Sequence, residues 1–190
     1  MCLIFLRNYC NNIEFKLLLW YDNEKLFGGL FMKHKEINYT VMLKAADDNW
    51  CAAEIIRKAE KLYYPFSILL ALSGEIYLKY ILLIKCGRIG IKTHDLLRLY
   101  KMLSEEVQNE INDIIVNQPK EFQSILFEGY TLSHYIEELE KNSSLFINSR
   151  YYYENYQKEL FKYFGGIYET IKAFRTYAHK CAINNERTDL

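Results

Sequence analysis

The feature that most constrains the fold is a stripe of apolar residues near the C-terminal end of the chain. Its members recur at alternating steps of four and three: Leu160, Phe164, Ile167, Ile171, Phe174, Ala178 and Cys181. Because an α-helix has 3.6 residues per turn, this spacing puts them all on one face of a long helix. Such a face is typical of a bundle core, and Gly165-Gly166 within it predicts either a kink or close packing.

Helical spacing predicts two further long helices, on either side of Pro65. The first covers roughly 43–63, with an apolar face that contains Ala53, Ile56, Ala59 and Tyr63. The second covers 66–85 and is apolar on most sides, as expected for the central helix of a bundle. Pro65 should separate the two helices, because it excludes helical geometry for the preceding residue but fits a first turn. Gly87 and Gly90 should end the second helix.

Shorter helices are predicted downstream of these glycines. Thr93 should cap the first of them, with Asp95 in its first turn complementing the helix dipole. The next two are predicted over 104–117 and about 121–140. Residues 142–144, Asn-Ser-Ser, indicate a loop before the last helix.

Composition excludes several classes of protein. With 51% hydrophobic and 25% charged residues over 190 positions, the chain suits one folded domain and is not disordered as a whole. The chain has only two Pro and eight Gly, too few turn-forming residues for a turn-rich β-sandwich or barrel. A general DNA-coating protein is attracted to DNA by a net positive charge, and the formal net charge of this chain is zero, which argues against that class. We therefore predict an all-α, antiparallel up-and-down helical bundle over 42–183, followed by a polar tail over 184–190.

Residues 1–41 are predicted to form an N-terminal extension, for which two interpretations stay open. Residues 28–32, Gly-Gly-Leu-Phe-Met, could be encoded by a purine-rich GGAGG stretch shortly before an ATG, as in a translated ribosome-binding site. In that hypothesis the native start is Met32 and 1–31 are translated leader. The alternative is a genuine N-terminal strand or helix.

The cysteines indicate a reducing compartment. They are five, widely separated and without a C-x-x-C: Cys2, Cys10, Cys51, Cys86 and Cys181. Neither a disulfide framework nor a zinc knuckle is predicted from such an odd set. No apolar stretch reaches membrane-spanning length without charge, and no signal-peptide cleavage site follows the apolar N-terminus. We expect a cytoplasmic protein that does not associate with membranes.

Polar motifs in the middle of the chain carry a resemblance to a known family. Glu75 and Lys79 lie in an E-x-x-L-K motif, which is followed after a Gly-bearing loop by T-H-D-L at 93–96. Downstream, 148–154 contains an Arg-Tyr pair. In order and spacing these motifs resemble the HEPN superfamily, the higher eukaryotes and prokaryotes nucleotide-binding domain. The resemblance covers about 45–180 and implies a HEPN-like bundle.

The resemblance also implies a set of ligand-binding residues: Glu75, Lys79, His94, Asp95, Arg150, Tyr151 and Glu154. Glu75 and Lys79 are four residues apart on a helix and can form an ion pair. His94 and Asp95 lie at a predicted helix N-terminus, where backbone N–H groups can bind anions. Arg150 could add a planar donor for phosphate or carboxylate. The alternative is a polar network that clamps loops onto the bundle.

A catalytic pair is the second implication. Ribonuclease members of the superfamily carry an R-x4–6-H motif near the start of the last helix, and metal-free RNA cleavage needs a proton-transfer group and a cation. The nearest match is Arg175 to His179, with three intervening residues, late in the helix, and with Thr176 in place of the family's Asn, Asp or His. Arg175 and His179 would share a helix face. The alternative is that they form a solvated flank of the core stripe.

Three functions follow. The resemblance implies a nucleotide- or RNA-associated accessory protein of a prokaryotic defence, toxin–antitoxin or stress system, acting as a homodimer or with a nucleotidyltransferase-type partner. One alternative is a metal-independent endoribonuclease that uses Arg175 and His179. Another is a structural module whose helical face docks a protein. Neither a cofactor nor a metal site is predicted, because nucleotide-binding and zinc motifs are absent and the four histidines are far apart.

Overall fold

The computed structural model describes residues 38–58, 63–119, 131–150 and 164–186, and within these residues it is all-helical. This part of the chain contains seven helices that pack against one another: α1 (Tyr39–Lys58), α2 (Tyr63–Cys86), α3 (Leu96–Lys101), α4 (Glu105–Asn117), α5 (Leu132–Lys141), α6 (Leu145–Arg150) and α7 (Phe164–Glu186). The predicted all-α bundle is confirmed. The question of a start at Met32 concerns residues outside the described ranges.

Helix α2 is the central element and contacts α1, α3, α6 and α7. Several of its side chains are completely buried, including Leu70, Tyr77, Leu78, Ile81 and Leu82. Pro65 lies in its first turn. The helix ends before Gly87 and Gly90, whose φ angles of 61° and 68° lie in the left-handed region that favours glycine. The predicted end at the two glycines is therefore confirmed. The predicted boundary at Pro65 is displaced, because α1 ends at Lys58 rather than near residue 63 and α2 begins at Tyr63, so that Tyr64 before the proline is helical. A proline in the first turn lacks only an N–H that would have no helical partner there, so the helix can begin ahead of it.

Contacting residues give the directions of the four longest helices. Trp50 of α1 packs on Tyr168 of α7, with ring centroids 5.1 Å apart, while the earlier residue Asp47 contacts the later residue His179. Helices α1 and α7 are therefore antiparallel. Helix α2 is also antiparallel to α1, because the two pack together across a connection of only a few residues. It follows that α2 and α7 run parallel.

Helix α4 completes the alternation. Glu110 in its first half binds Lys180, and Gln118 after its end donates to the backbone carbonyl of Glu169 at 2.6 Å. Its direction is therefore opposite to that of α7. In chain order, the helices α1, α2, α4 and α7 alternate in direction, as an up-and-down bundle requires.

The predicted apolar stripe forms the core face of α7. The stripe members whose side chains the structure describes are buried: Ile167, Ile171, Phe174, Ala178 and Cys181. Gly166 faces α5, and a Cβ atom at Gly166 would lie 2.7 Å from Cγ of Glu138. This glycine therefore serves close packing, one of the two roles predicted for it. The helix continues to Glu186, beyond residue 184 where the polar tail was predicted to begin.

Two further predicted helix starts are wrong. Asp95, not Thr93, caps α3, with an extended backbone (φ −79°, ψ 111°) and a side chain that accepts from the Arg98 N–H. The helix predicted over about 121–140 does not continue through Thr131, which is extended (φ −95°, ψ 170°) and caps α5. Both errors have one cause: a helix start is decided by local side-chain hydrogen bonds, which apolar spacing does not reveal.

Among the described residues, only α2 is long and apolar enough, by length and composition, to cross a membrane. Of this stretch 67% is buried inside the bundle, and the core helix of a soluble protein passes the same test. The burial of α2 is thus compatible with a soluble protein.

Candidate functional site

The candidate site lies where α1, α2 and α7 meet, around the carboxylate of Asp47. Arg175 and His179 lie about one turn apart on α7 and share one face of it. Nε of Arg175 is 3.1 Å from Oδ1 of Asp47, and Nε2 of His179 is 2.9 Å from the same oxygen. The two residues of the predicted catalytic pair are thus joined through an acidic residue on the first helix.

Tyr77 of α2 supplies a third donor. Its hydroxyl donates to Oδ1 of Asp47 at 2.7 Å, and its side chain is completely buried. The guanidinium of Arg175 also lies over the ring of Trp50, 5.9 Å from its centroid. We call Asp47, Tyr77, Arg175 and His179 the Asp47 cluster. Its carboxylate connects side chains from three helices.

The pKa values in the Asp47 cluster define its charges. Burial alone would raise the pKa of Asp47, but the hydrogen bonds from Tyr77, His179 and Arg175 outweigh burial and bring the pKa below its usual value. Burial and the bond to Asp47 raise the pKa of Tyr77 well above its usual range. Burial opposes the charge of Arg175, yet the Asp47 carboxylate raises its pKa overall. At neutral pH Asp47 is therefore anionic, Arg175 cationic and Tyr77 neutral.

The Asp47 cluster is open to solvent on one side. The side chains of Arg175 and His179 are each 39% exposed, against 24% for Asp47. The pair does lie on a flank of the core stripe, as the alternative interpretation expected, but both side chains are held by α1. A ligand could approach their exposed surfaces without any rearrangement of the core.

The chemistry of the Asp47 cluster follows from its hydrogen bonds. An ionised carboxylate can only accept, so Nε2 of His179 carries the proton in the bond to Asp47. Nδ1 is then the nitrogen left for proton transfer when the ring is neutral. Arg175 beside it presents a guanidinium, which suits phosphate oxygens. The cluster thus combines a proton-transfer group with a fixed cation.

Neither Asp47 nor Tyr77 was identified from the sequence. Asp47 lies beside Asp48 in a polar part of α1 that matches no motif, and Tyr77 lies in an apolar run that predicts core packing. The sequence did offer one indication of a polar site: a tyrosine in an apolar run is expected to be buried, and its buried O–H requires a hydrogen-bond partner. The identity of that partner depends on how the helices pack.

The predicted ligand-binding group is assembled in part around Glu75. Nζ of Lys79 is 2.8 Å from one carboxylate oxygen of Glu75, and Nδ1 of His94 is 2.9 Å from the other. The Glu75 side chain is only 6% exposed, and the His94 ring also packs on Phe146 of α6. We call Glu75, Lys79 and His94 the Glu75 cluster. It joins α2 to the loop that precedes α3, as the clamp interpretation expects.

The structure does not join the other predicted ligand-binding residues to the Glu75 cluster within the part of the chain that it describes. The Asp95 carboxylate accepts from the Arg98 N–H at 2.8 Å, so it occupies the helix N-terminus that was expected to bind an anion. Arg150 is the last residue of α6, but the structure does not describe its side chain. Tyr151 and Glu154 lie outside the described ranges.

Among the described residues, no group of three or more His, Cys, Asp or Glu side chains is arranged to hold a metal ion. Cys51, Cys86 and Cys181 are free thiols. Comparison of the chain with protein families, with curated proteins and with solved structures finds no match. The fold and the site define a class only: an all-α bundle protein with a partly exposed acid–base cluster.

Proposed function

We propose that this protein is a nucleotide- or RNA-associated helical bundle that binds phosphate groups at the Asp47 cluster. The supporting observation is that Arg175 Nε and His179 Nε2 converge on one oxygen of Asp47, at 3.1 and 2.9 Å. The shared carboxylate holds a guanidinium and an imidazole side by side at a partly exposed surface. These two groups supply the charge balance and the hydrogen bonds that a phosphate diester requires.

Metal-independent RNA cleavage at the same cluster is the second candidate. In this reaction the 2′-oxygen attacks the adjacent phosphorus while a base removes its proton, and the 5′-oxygen leaves while accepting a proton. His179 offers Nδ1 for one of these transfers, and Arg175 can balance the charge that develops on the phosphorus centre. The bond from His179 to Asp47 favours this candidate, because a carboxylate partner orients an imidazole for proton transfer.

We assign the Glu75 cluster a structural role in this proposal. Its carboxylate is nearly inaccessible and already accepts from both Lys79 and His94. A ligand would have to displace at least one of these donors and leave a buried charge poorly compensated. The Asp47 cluster is therefore the better candidate for binding.

The biological setting in this proposal rests on the HEPN resemblance. It supports a cytoplasmic role in a prokaryotic defence, toxin–antitoxin or stress system, with a second copy of this chain or a nucleotidyltransferase-type protein as partner. A neighbouring nucleotidyltransferase gene would support the accessory role. A stoichiometric protein partner, together with no binding or cleavage of RNA, would favour the docking module instead.

The test compares RNA binding and RNA cleavage in EDTA for three proteins: wild type, Arg175→Gln/His179→Gln, and Lys180→Gln. Lys180 is a suitable control because it lies on the same helix, is exposed and is bound to Glu110 rather than Asp47. We expect the double variant to lose RNA binding and the control to keep it. Loss of cleavage in the double variant would establish the endoribonuclease. Equal RNA binding by all three proteins would refute the proposed site.

A further inference from the structure

The stretch 85–101 is strongly basic in a chain whose formal net charge is zero. It contains five Lys or Arg residues and one acidic residue, Asp95, which gives a local charge of +4. All five cations are exposed: Lys85, Arg88, Lys92, Arg98 and Lys101. The carboxylate of Asp95 is bonded to the backbone at the start of α3. We call these five residues the basic face.

The loop in the middle of the basic face is open to solvent. A Cβ atom added at Gly87 or at Gly90 would meet no atom within 4 Å. Ile89 between them is the exposed large apolar residue of this loop. A membrane-binding segment would need a longer apolar face beside its cations, so the pattern favours a soluble polyanion.

The basic face begins at the C-terminal end of α2, whereas the Asp47 cluster lies about halfway along α2 and α7. Helices α2 and α7 run parallel, and the loop leaves α2 at the end that faces the second half of α7. Lys85 lies near the second half of α7, since its charge partly offsets the effect of burial, which raises the pKa of the Cys181 thiol. Along α2, Gly87 is about 15 Å from Tyr77 of the cluster. A single strand of a few nucleotides could reach both.

We propose that the basic face is a second contact surface for single-stranded RNA, binding the phosphates of the same strand that reaches the Asp47 cluster. This inference rests on the proposed function and adds to it the substrate class, an extended single strand rather than a mononucleotide. Exposed cations on a loop and a short helix follow a flexible backbone without reading its sequence. A mononucleotide would occupy the Asp47 cluster alone and would not respond to changes in the basic face.

The test measures binding of fluorescent single-stranded RNA by anisotropy at several salt concentrations. The RNA carries 2′-O-methyl groups, which remove the nucleophile and prevent cleavage during the measurement. The test variant is Arg88→Gln/Lys101→Gln. The control, Lys58→Gln/Lys141→Gln, removes the same charge from the ends of α1 and α5, outside the basic face. Each lost phosphate contact lowers the slope of log affinity against log salt by about 0.7, so we expect the slope of the test variant to fall by about 1.4.

Each outcome has a distinct meaning. A fall in slope in the test variant and not in the control supports the basic face. An unchanged slope overturns it but leaves the proposed function intact, because that function is tested by the Arg175/His179 variant. If wild type binds no RNA, both proposals fail. Polyglutamate, measured in the same assay, represents an acidic protein partner. If the test variant keeps RNA binding but loses polyglutamate binding, the basic face binds an acidic protein and the assignment to RNA is wrong.

Discussion

Nε2 of His179 lies 2.9 Å from Oδ1 of Asp47, so a hydrogen bond links residues 132 positions apart in the sequence. The bond ties the second half of the last helix to the first helix of the bundle. Because the carboxylate only accepts, the bond also decides which ring nitrogen carries the proton.

The protonated nitrogen of His179 can be observed directly. We expect nitrogen-15 NMR at alkaline pH to show the Nε2–H tautomer for His179 and the Nδ1–H tautomer for His94, because Nδ1 of His94 donates to Glu75. Asp47→Asn should perturb the His179 signals and leave those of His94 unchanged. An Nδ1–H tautomer for His179 in the wild type would contradict the geometry of the Asp47 cluster.

Asp47 should make the stability of the fold depend on acid pH. Its pKa in the folded protein is below the unfolded value of 3.8, so its contribution is fully present above that value and is lost as the pH falls through the lower, folded-state pKa. In urea unfolding, the gap in stability between wild type and Asp47→Asn should therefore shrink as the pH is lowered below about 4. Asp48→Asn is the control, since Asp48 is exposed and pairs only with Lys44 among the described ion pairs. A gap that stays constant down to pH 2 would disagree with this assignment.

Removing the Tyr77 hydroxyl should cost stability and impair the site. Tyr77→Phe deletes one hydrogen bond to the charged carboxylate of Asp47, and we expect a loss of about 1.5–3 kcal/mol in the free energy of unfolding. Tyr100→Phe is the matched control, because its hydroxyl also donates at 2.7 Å, to Asn112, away from the Asp47 cluster. Both variants should lose stability, Tyr100→Phe by the smaller amount because its partner is a neutral amide, but only Tyr77→Phe should weaken RNA binding. Equal effects on RNA binding would show that Tyr77 acts through stability alone.

The Glu75 cluster should matter for stability and not for RNA. Glu75→Gln keeps the shape of the side chain but removes the charge that binds Lys79 and His94, and should destabilise the fold by about 1–3 kcal/mol. RNA binding by the folded variant should match that of the wild type. If RNA binding falls while the urea midpoint is unchanged, the Glu75 cluster is a ligand site after all.

Gly166 should not tolerate a larger residue. A Cβ atom there would lie 2.7 Å from Cγ and 3.1 Å from Cβ of Glu138, so Gly166→Ala should cost about 1–3 kcal/mol in unfolding free energy. Truncation by Glu138→Ala removes the closer contact, and the double variant should therefore lose less than the sum of the two single variants. Strictly additive losses would mean that the contact between α5 and α7 is not the cause.

Helix α7 illustrates what periodicity predicts well. The stripe members from Ile167 to Cys181 are all buried, because the helix itself puts residues three and four apart on one face. The glycines after α2 were equally informative, since a left-handed backbone conformation is a local property. Predictions failed first at caps such as Asp95, where a single hydrogen bond decides where the helix begins.

The sequence by itself determined the all-α class, the central helix and the pair Arg175 and His179 on one helix face, because each depends on residues close together in the chain. Only the tertiary structure decided that Asp47 joins this pair and that Asp95 caps a helix instead of leaving its N-terminus to a ligand. Which polar side chains meet depends on the direction and rotation of every helix. These are set by the packing of the whole core, and no local pattern records them.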